Sequence, residues 1–333
     1  MAAVKLAFSA PPTPFSQWKH GAYFLLKHSA EIDSFGVHHL TEDPEKADLI
    51  LFVEMGESGS FAERVRANAL FRRYRDKCFL FDQGDLSYPI LPGIYAGLTE
   101  LQFRKDHTRT GFYLLLGENI LIQHVPATGE ERYLASFIGS FNTAAVRSHF
   151  ANFDGTDFQI RDTSSYSAQM RYHGQPSERL RFWTEYADSI AQAKFSLCPR
   201  GASPHSIRLF ESMKTGRACI ILSDEWHPND GVDWDSFAIR VPESQVSEIP
   251  RILMENEHRA ASMGANARRE WEKWFSPEVQ FHHVVEQCLE IQRLRGPYSR
   301  IKSLWHYRYI AKHPRRYLSS KRNLYRNNNR IYW

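Results

Sequence analysis

The chain has 333 residues, enough for two domains with a sizeable core in each, and 42% of them are hydrophobic, as in globular proteins. No apolar run approaches the roughly 20 residues that a membrane-spanning helix needs. The four widely spaced cysteines indicate neither a disulfide framework nor a zinc site. The net charge of +4 is uneven, because residues 297–333 hold ten Lys and Arg and no Asp or Glu, which leaves residues 1–296 with a net charge of −6.

Strand-like and helix-like patterns alternate in the first part of the chain. Short apolar runs predict strands at residues 4–8, 48–53 and 78–81. Amphipathic patterns predict helices at residues 18–28 and 61–74. This alternation favours a parallel α/β domain, and we place its end in the polar turn at Thr128-Gly129, so that the first domain is 1–129.

A second set of elements begins after that turn. Residues 132–140 predict a strand that ends in Gly139-Ser140, and Arg147 falls in the next predicted helix. Further helices are predicted at residues 177–193, 249–254, 260–275 and 278–294. We divide this part of the chain into a second domain at 130–277, a C-terminal helix at 278–296 and a basic aromatic tail at 297–333.

The best-organised stretch of the sequence lies between residues 195 and 223. It predicts a strand at 195–198, a loop containing Pro199 and Gly201, a helix at 206–215 and a second strand at 218–222. A parallel unit of this kind presents the helix N-terminus at the carboxyl edge of the sheet, where free backbone N–H groups suit a phosphate. Arg208 and Glu211 are three residues apart and share a helix face.

Six elements of this region together resemble the signature of the exostosin-type glycosyltransferases, glycosyltransferase family 47. They are, in order, the apolar strand, the Pro-x-Gly loop, Ser-x-Arg-Leu-x-Glu at 206–211, the second strand, Ser-Asp at 223–224 and Asp-Trp at 233–234. The resemblance covers residues 195–275 best and extends loosely toward the N-terminus. It implies an α/β fold of the GT-B type, with two Rossmann-like domains facing a cleft, the acceptor bound by the first and the donor by the second.

The resemblance also implies a reaction and its donor-binding residues. The reaction is inverting, metal-independent transfer of a sugar from a nucleotide-diphosphate sugar, most often a UDP-sugar, to a glycan or lipid-linked glycan acceptor, with no cofactor. Arg208 stabilises the diphosphate and Glu211 binds the ribose or sugar. The remaining predicted donor-binding residues are Arg200, Gly201, Ser203, Ser206, Gly139 and Arg147. For Gly139 and Arg147, a turn glycine and a surface arginine are equally good interpretations.

Inversion requires one general base on the acceptor side. Asp82 and Asp85 follow the strand predicted at 78–81, and we favour Asp85. An acidic residue after a strand also commonly caps a turn, and His107 and Glu118 are alternative bases. The loop at 226–230, Trp-His-Pro-Asn-Asp, is interpreted as a plain loop.

No metal site is predicted. Asp233-Trp234-Asp235 matches the Asp-x-Asp pattern of metal-dependent glycosyltransferases in form. Its place in the family signature makes the Asp-Trp pair the better interpretation. The adjacent histidines His38-His39 and His282-His283 point apart, so neither pair resembles a ligand set.

The tail at 297–333 mixes its ten basic residues with tyrosine and tryptophan. This composition suits an anionic membrane surface, packing on the acidic body of the protein or, less well, RNA. The N-terminus lacks the apolar core of a secretory signal, so we expect a cytoplasmic protein that meets the inner face of the membrane through its tail. A chain trimmed of an anchor would look the same. Two other functions stay open: a non-catalytic nucleotide- or glycan-binding protein, and an RNA-associated protein acting through the tail.

Overall fold

The chain folds into two compact units. The computed structural model describes residues 1–9, 17–113, 119–153, 155–166, 174–296, 307–315, 317–319 and 321–322. The first unit comprises Met1–Leu116, His227–Asp230 and Ser276–Trp333, and the second comprises Gly117–Trp226 and Gly231–Phe275. Each unit is an α/β domain with a parallel sheet, so the predicted α/β class with two Rossmann-like domains is confirmed.

The first unit is built on a six-stranded sheet with the order β2-β1-β3-β4-β5-β6. Every neighbouring pair is parallel. The strands are β1 Ala3–Ala7, β2 His39–Leu40, β3 Leu49–Glu54, β4 Cys78–Asp82, β5 Gly93–Tyr95 and β6 Thr108–Thr110. All residues of β3 and β4 are buried, as expected for central strands covered on both faces.

The helices of the first unit are α1 Gln17–Glu31, α2 Glu63–Ala67, α3 Ala69–Arg73, α9 Pro277–Leu294 and α10 Arg308–Lys312. The prediction of one helix over residues 61–74 was wrong. Phe61 and Ala62 have left-handed backbone angles, with φ of 60° and 51°. Asn68 is extended and caps α3 by accepting a hydrogen bond from Leu70 N at 2.9 Å.

The long helix α9 belongs to the first unit although it follows the second in sequence. Ser34 N donates to Glu278 O at 2.8 Å, and Phe281 N donates to Ser29 Oγ at 3.0 Å. These bonds hold the start of α9 against the end of α1. The C-terminal helix predicted over residues 278–294 is therefore present, and it completes the first α/β unit.

The second unit contains a five-stranded sheet with the order β11-β10-β9-β7-β8. All its neighbouring strands are parallel. The strands are β7 Tyr133–Gly139, β8 Phe158–Asp162, β9 Ala193–Pro199, β10 Ala218–Leu222 and β11 Ala238–Arg240. The helices are α4 Ala145–Ser148, α5 Pro176–Ala191, α6 Ile207–Thr215, α7 Ile249–Asn256 and α8 Ala260–Trp274.

The second unit begins earlier in the chain than the boundary predicted at 129/130. Arg217 is almost fully buried, and its Nη1 donates to Val125 O at 2.6 Å. Val125 N in turn donates to Thr215 O at 3.0 Å. These bonds attach the segment before β7 to the end of α6, so this segment packs with the second sheet.

Candidate active site

The segment from β9 to β10 has the strand, loop, helix, strand order that the sequence predicted. Gly216 ends α6 in a left-handed conformation, with φ of 89°, and its N–H bonds back to Ser212 O and Met213 O. A residue with a Cβ would be strained there. The loop 200–206 therefore connects the carboxyl end of β9 to the N-terminus of α6.

Arg208 lies in the first turn of α6 and is 4% exposed. Its Nε donates to Ser196 Oγ at 3.1 Å, and its Nη2 donates to Ser136 Oγ at 2.9 Å. Its Nη1 is buried and has no hydrogen-bond partner among the described residues. The guanidinium is thus fixed by neutral serines of β7 and β9, and among the described residues Nη1 makes no hydrogen bond.

Glu211 lies one turn further along α6 and is also buried. Tyr186 OH from α5 donates to Glu211 Oε2 at 2.5 Å. Burial and the neighbouring Glu211 carboxylate raise the pKa of Tyr186 well above its usual value, so the phenol remains a donor. The Arg208 guanidinium lies 5.2 Å from the Tyr186 ring centroid. Tyr186 therefore links the two residues that the sequence placed at the centre of the site.

Arg147 braces the carboxyl ends of two strands. Its Nη1 donates to Ser140 O at 3.1 Å, its Nη2 to Pro199 O at 3.1 Å and its Nε to Arg200 O at 2.8 Å. Burial lowers the pKa of Arg147 to about 10, so the side chain stays charged near neutral pH. A Cβ on Gly201 would lie 3.3 Å from Arg147 Nη2, so this position has room for little more than a glycine.

Other predicted donor-binding residues lie around the same edge of the sheet. Arg200 Nε forms an ion pair with Glu243 Oε1 at 2.7 Å. Gly139 ends β7, where an added Cβ would lie 2.8 Å from the Phe137 ring. Arg200 and Gly139 thus have contacts within the protein. Their roles in donor binding remain predictions.

The loop before α6 contains two buried serines and a buried histidine. Ser203 Oγ and His205 Nδ1 are 2.6 Å apart, and burial lowers the pKa of His205 to about 3, so its imidazole is neutral. Ser206 occupies the N-cap position, and its side chain makes no capping hydrogen bond. The backbone N–H groups of the first turn of α6 are therefore not satisfied by a side-chain cap.

The first unit holds the two predicted candidates for the general base. Asp82 ends β4 and is buried; it accepts hydrogen bonds from Gly56 N at 2.6 Å, Ser58 N at 2.5 Å and Gly84 N at 3.1 Å. Burial raises the pKa of Asp82 in spite of these bonds. Through these bonds Asp82 joins the loop after β3 to the loop after β4. Asp85 is exposed at the same end of β4, and partial burial raises its pKa.

Two buried glutamates that the sequence did not single out lie beside Asp82. Glu54 ends β3 and pairs with Asp82 in the sheet register, and burial followed by the nearby Glu57 raises the pKa of Glu54 to about 7. Glu57 forms an ion pair with Arg64 Nε at 2.6 Å. The carboxyl edge of the first sheet is therefore acidic.

His107 and Glu118 are the two alternative general bases that the sequence offered. His107 is buried, and its Nε2 lies 3.0 Å from Pro89 O, whereas Glu118 lies outside the described residues.

Trp234 packs edge-on against Trp226 at 5.1 Å, and Asp233 N donates to Glu270 Oε2 at 3.1 Å, so the Asp-Trp pair serves the packing of the second unit. Within the described ranges, no group of three or more His, Cys, Asp and Glu could hold a metal ion. Metal independence remains a prediction.

The described residues of the tail pack on the first unit. Tyr309 joins Phe61 and Ile90 in one hydrophobic cluster, and Lys321 Nζ forms an ion pair with Glu63 Oε2 at 3.2 Å. Packing on the protein body, one of the three predicted uses of the tail, thus accounts for residues 307–322 as far as they are described. In the part of the chain that the structure describes, no helix combines the length and apolar character needed to cross a bilayer.

Comparison with known proteins finds similarity mainly in the second unit. The family model of the exostosin GT47 domain matches residues 114–256. An exostosin-1 homolog of Caenorhabditis elegans is 26% identical over 170 residues, which cover 47% of this chain and 44% of the relative. The probable glucuronoxylan glucuronosyltransferase IRX7 of Arabidopsis thaliana is 31% identical over 147 residues, 42% of this chain and 30% of the relative.

The chain spans less than half the length of these two curated relatives. Among solved structures, TarM superimposes with a TM-score of 0.43 and 11% identity, covering 82% of this chain and 58% of TarM. The family match and the two relatives confirm the predicted resemblance. Residues 114–256 of this chain, which contain Arg208, Glu211 and the loop 200–206, are similar to the exostosin GT47 domain.

Proposed function

We propose that this protein is an inverting, metal-independent glycosyltransferase that moves a sugar from a UDP-sugar to a glycan or lipid-linked glycan acceptor. The observation that carries the proposal is the buried Arg208, whose Nη1 has no partner among the described residues and which lies in the first turn of α6. A buried cation held only by neutral groups is unfavourable unless an anion completes its shell. A diphosphate at a helix N-terminus supplies that anion.

The donor site is assembled from the segments around the second sheet's carboxyl edge. The first-turn N–H groups of α6 and Arg208 Nη1 contact the diphosphate, where negative charge grows as the sugar leaves. Glu211, oriented by Tyr186, accepts hydrogen bonds from hydroxyls of the ribose or sugar. Arg147 keeps the surrounding backbone in place. Arg200, Gly201, Ser203, Ser206 and Gly139 complete the proposed site.

The reaction is a direct displacement. The acceptor oxygen attacks the anomeric carbon on the face opposite the diphosphate, the bond from that carbon to the leaving oxygen breaks, and the acceptor proton passes to a general base. The arginines supply the positive charge that a divalent ion supplies in metal-dependent enzymes. Of the two carboxylates predicted as the base, Asp85 is the accessible one.

Nucleotide binding tests the proposal directly. We expect UDP to raise the melting temperature of the wild-type chain. Arg208→Ala should weaken UDP binding about 100-fold in calorimetry, since charge-assisted hydrogen bonds to the diphosphate are lost. Arg200→Ala should weaken it only a few-fold, because Glu243 already neutralises that side chain.

Arg251→Ala is the matched control. Arg251 lies on α7 of the same unit, is exposed and, among the described residues, pairs with Glu248 and Glu255, so its loss should leave UDP affinity unchanged. Wild-type affinity in Arg208→Ala would contradict the site.

Turnover tests the reaction itself. UDP-glucuronate, the donor suggested by the name of the IRX7 relative, is tested first, followed by other UDP-sugars. Activity should survive a chelator, and complete loss would contradict metal independence. UDP binding without transfer to any acceptor would instead favour a non-catalytic binding protein.

The proposed location is the cytoplasmic face of a membrane, reached through the basic tail. The support is compositional: ten Lys and Arg and no acidic residue between positions 297 and 333. We expect the full chain to co-sediment with phosphatidylserine vesicles at low salt and a chain ending at residue 296 to remain in the supernatant. Equal co-sedimentation of the two chains would contradict a membrane role for the tail.

A further inference from the structure

The first unit contains a second basic stretch, at residues 64–77, far from the tail in sequence. It includes six Lys and Arg and one Asp, and it covers most of α2, all of α3 and the turn before β4. Arg72 and Arg75 of this stretch are exposed. The tail belongs to the same unit, so both basic segments are parts of one folded body.

The tail packs against this basic stretch. The Arg66 guanidinium lies 5.4 Å from the ring centroid of Tyr307, and Lys321 Nζ pairs with Glu63 Oε2 at 3.2 Å, one residue before the stretch begins. Arg75 and Tyr307 also line the same cavity. The fold therefore brings together two basic segments that are more than 200 residues apart in the sequence.

The packed side and the outward side of the tail differ in chemistry. Tyr309 is buried in a cluster with Phe61 and Ile90, and the Tyr317 ring meets the Phe61 ring edge-on at 5.6 Å. The apolar side of this segment is thus used in packing on the first unit. The exposed side carries Lys312, Arg315, Leu318 and Arg322.

We infer that the exposed basic residues of these two segments form one surface that binds the phosphate groups of an anionic phospholipid bilayer. This surface, the basic face, consists of Arg72, Arg75, Lys312, Arg315 and Arg322. The inference rests on the proposed membrane location and gives it a different structural basis. The tail binds the bilayer while it stays packed on the first unit, and the arginines of residues 64–77 bind with it.

The packing of the tail favours a membrane over RNA as the partner. Proteins bind single-stranded nucleic acid with aromatic side chains on which the bases stack. Tyr309 is buried, and Tyr307 and Tyr317 are half-buried against the first unit, so these rings offer no open stacking surface. Leu318, by contrast, is 63% exposed among basic residues. Basic side chains around an apolar one match the headgroups and the apolar border of a bilayer.

Vesicle binding by point variants of the full chain tests the basic face. The chain is co-sedimented at low salt with phosphatidylcholine vesicles that contain phosphatidylserine. A basic residue close to such a surface raises affinity about fivefold. Neutralising two residues, either in Lys312→Ala with Arg315→Ala or in Arg72→Ala with Arg75→Ala, should therefore weaken binding about 25-fold. The second pair decides the matter because it leaves the tail intact.

Two controls separate lost charge from lost structure. Arg72→Lys with Arg75→Lys keeps both charges and should bind vesicles as the wild-type chain does. Arg181→Ala with Arg251→Ala removes two exposed arginines of the second unit and should also leave vesicle binding unchanged. The melting temperature of each variant should stay close to that of the wild-type chain, because all the substituted side chains are exposed.

The outcomes distinguish this inference from the proposals on which it rests. Wild-type vesicle binding in Arg72→Ala with Arg75→Ala would overturn the basic face and leave membrane binding to the tail alone. Binding of the wild-type chain to a single-stranded RNA oligonucleotide but not to vesicles would overturn it in favour of RNA. A wild-type chain that binds UDP but no vesicles would contradict the basic face and the membrane location, and it would leave the proposed glycosyl transfer standing.

Discussion

The two units share a parallel α/β plan, but arginines gather at the candidate site of the second unit and carboxyl groups gather at the carboxyl edge of the first. In the second unit, Arg147 and Arg200 lie at the ends of β7 and β9, and Arg208 bonds to Ser136 and Ser196 in the middle of the same strands. In the first unit, Glu54, Glu57 and Asp82 lie at and after the ends of β3 and β4, and Arg64 pairs with Glu57.

The comparison teaches that backbone architecture does not determine what an edge binds. Arg208 is held by neutral serine oxygens and Asp82 by neutral backbone N–H groups. Neither Arg208 nor Asp82 therefore meets an opposite charge in these hydrogen bonds. A cationic edge suits a diphosphate, and an acidic edge suits sugar hydroxyls and proton transfer.

The largest effect is expected from Asp82→Ala. The substitution leaves the N–H groups of Gly56, Ser58 and Gly84 without their acceptor in a buried site. We expect a loss of about 3–5 kcal/mol in the free energy of unfolding, measured by urea denaturation.

Asp162→Ala is the matched control at the carboxyl edge of the second unit's sheet. Asp162 ends β8 and also accepts backbone N–H bonds, from Phe141 at 3.0 Å and Ser164 at 2.9 Å, but it is exposed. Water can replace its bonds, so we expect a loss of about 1 kcal/mol or less. Equal losses in the free energy of unfolding for the two variants would show that burial does not set the cost of removing such an aspartate.

A smaller, pH-dependent effect is expected from Glu54→Gln. Burial raises the pKa of Glu54 to about 7 in the folded chain, from 4.5 for an unperturbed glutamate. Because the folded state holds this proton more tightly, the wild-type chain loses stability as the pH rises from about 4.5 through about 7. Glutamine carries no such penalty, so at pH 8 the variant should be more stable than wild type by roughly 1–3 kcal/mol.

The two proteins should differ little at pH 4.5, where Glu54 is protonated in the folded chain. Thermal unfolding at both pH values measures the difference. Glu31→Gln serves as the control, since Glu31 is exposed on α1. A Glu54→Gln advantage that does not grow with pH would mean that Glu54 is not the source of the effect.

Much of the fold could be predicted from local patterns. The segment from β9 to β10 follows from two apolar runs, a Pro/Gly loop and a helix closed by Gly216. The helix predicted over 61–74 failed because its apolar spacing continued through Asn68, whose side chain stabilises a new helix start better than a helix interior.

The site was predictable only where its residues belong to one motif. Arg208 and Glu211 stand three residues apart, but Tyr186 lies 25 residues before Glu211, on another helix. The sequence predicted Arg147 near the loop 200–206. It could not show that the three nitrogens of its guanidinium donate to backbone carbonyl oxygens.

The segment His227–Asp230 also limits which fragments of the chain can be expressed alone. The chain passes from one unit to the other at residues 116/117, 226/227, 230/231 and 275/276. His227 N donates to Leu98 O at 3.2 Å, and Asn229 Nδ2 donates to Thr110 O at 2.8 Å. A fragment spanning 117–275 would lose both bonds, because Leu98 and Thr110 belong to the first unit. Isolated expression of the second unit should therefore work better when residues 227–230 are replaced by a short glycine-serine bridge.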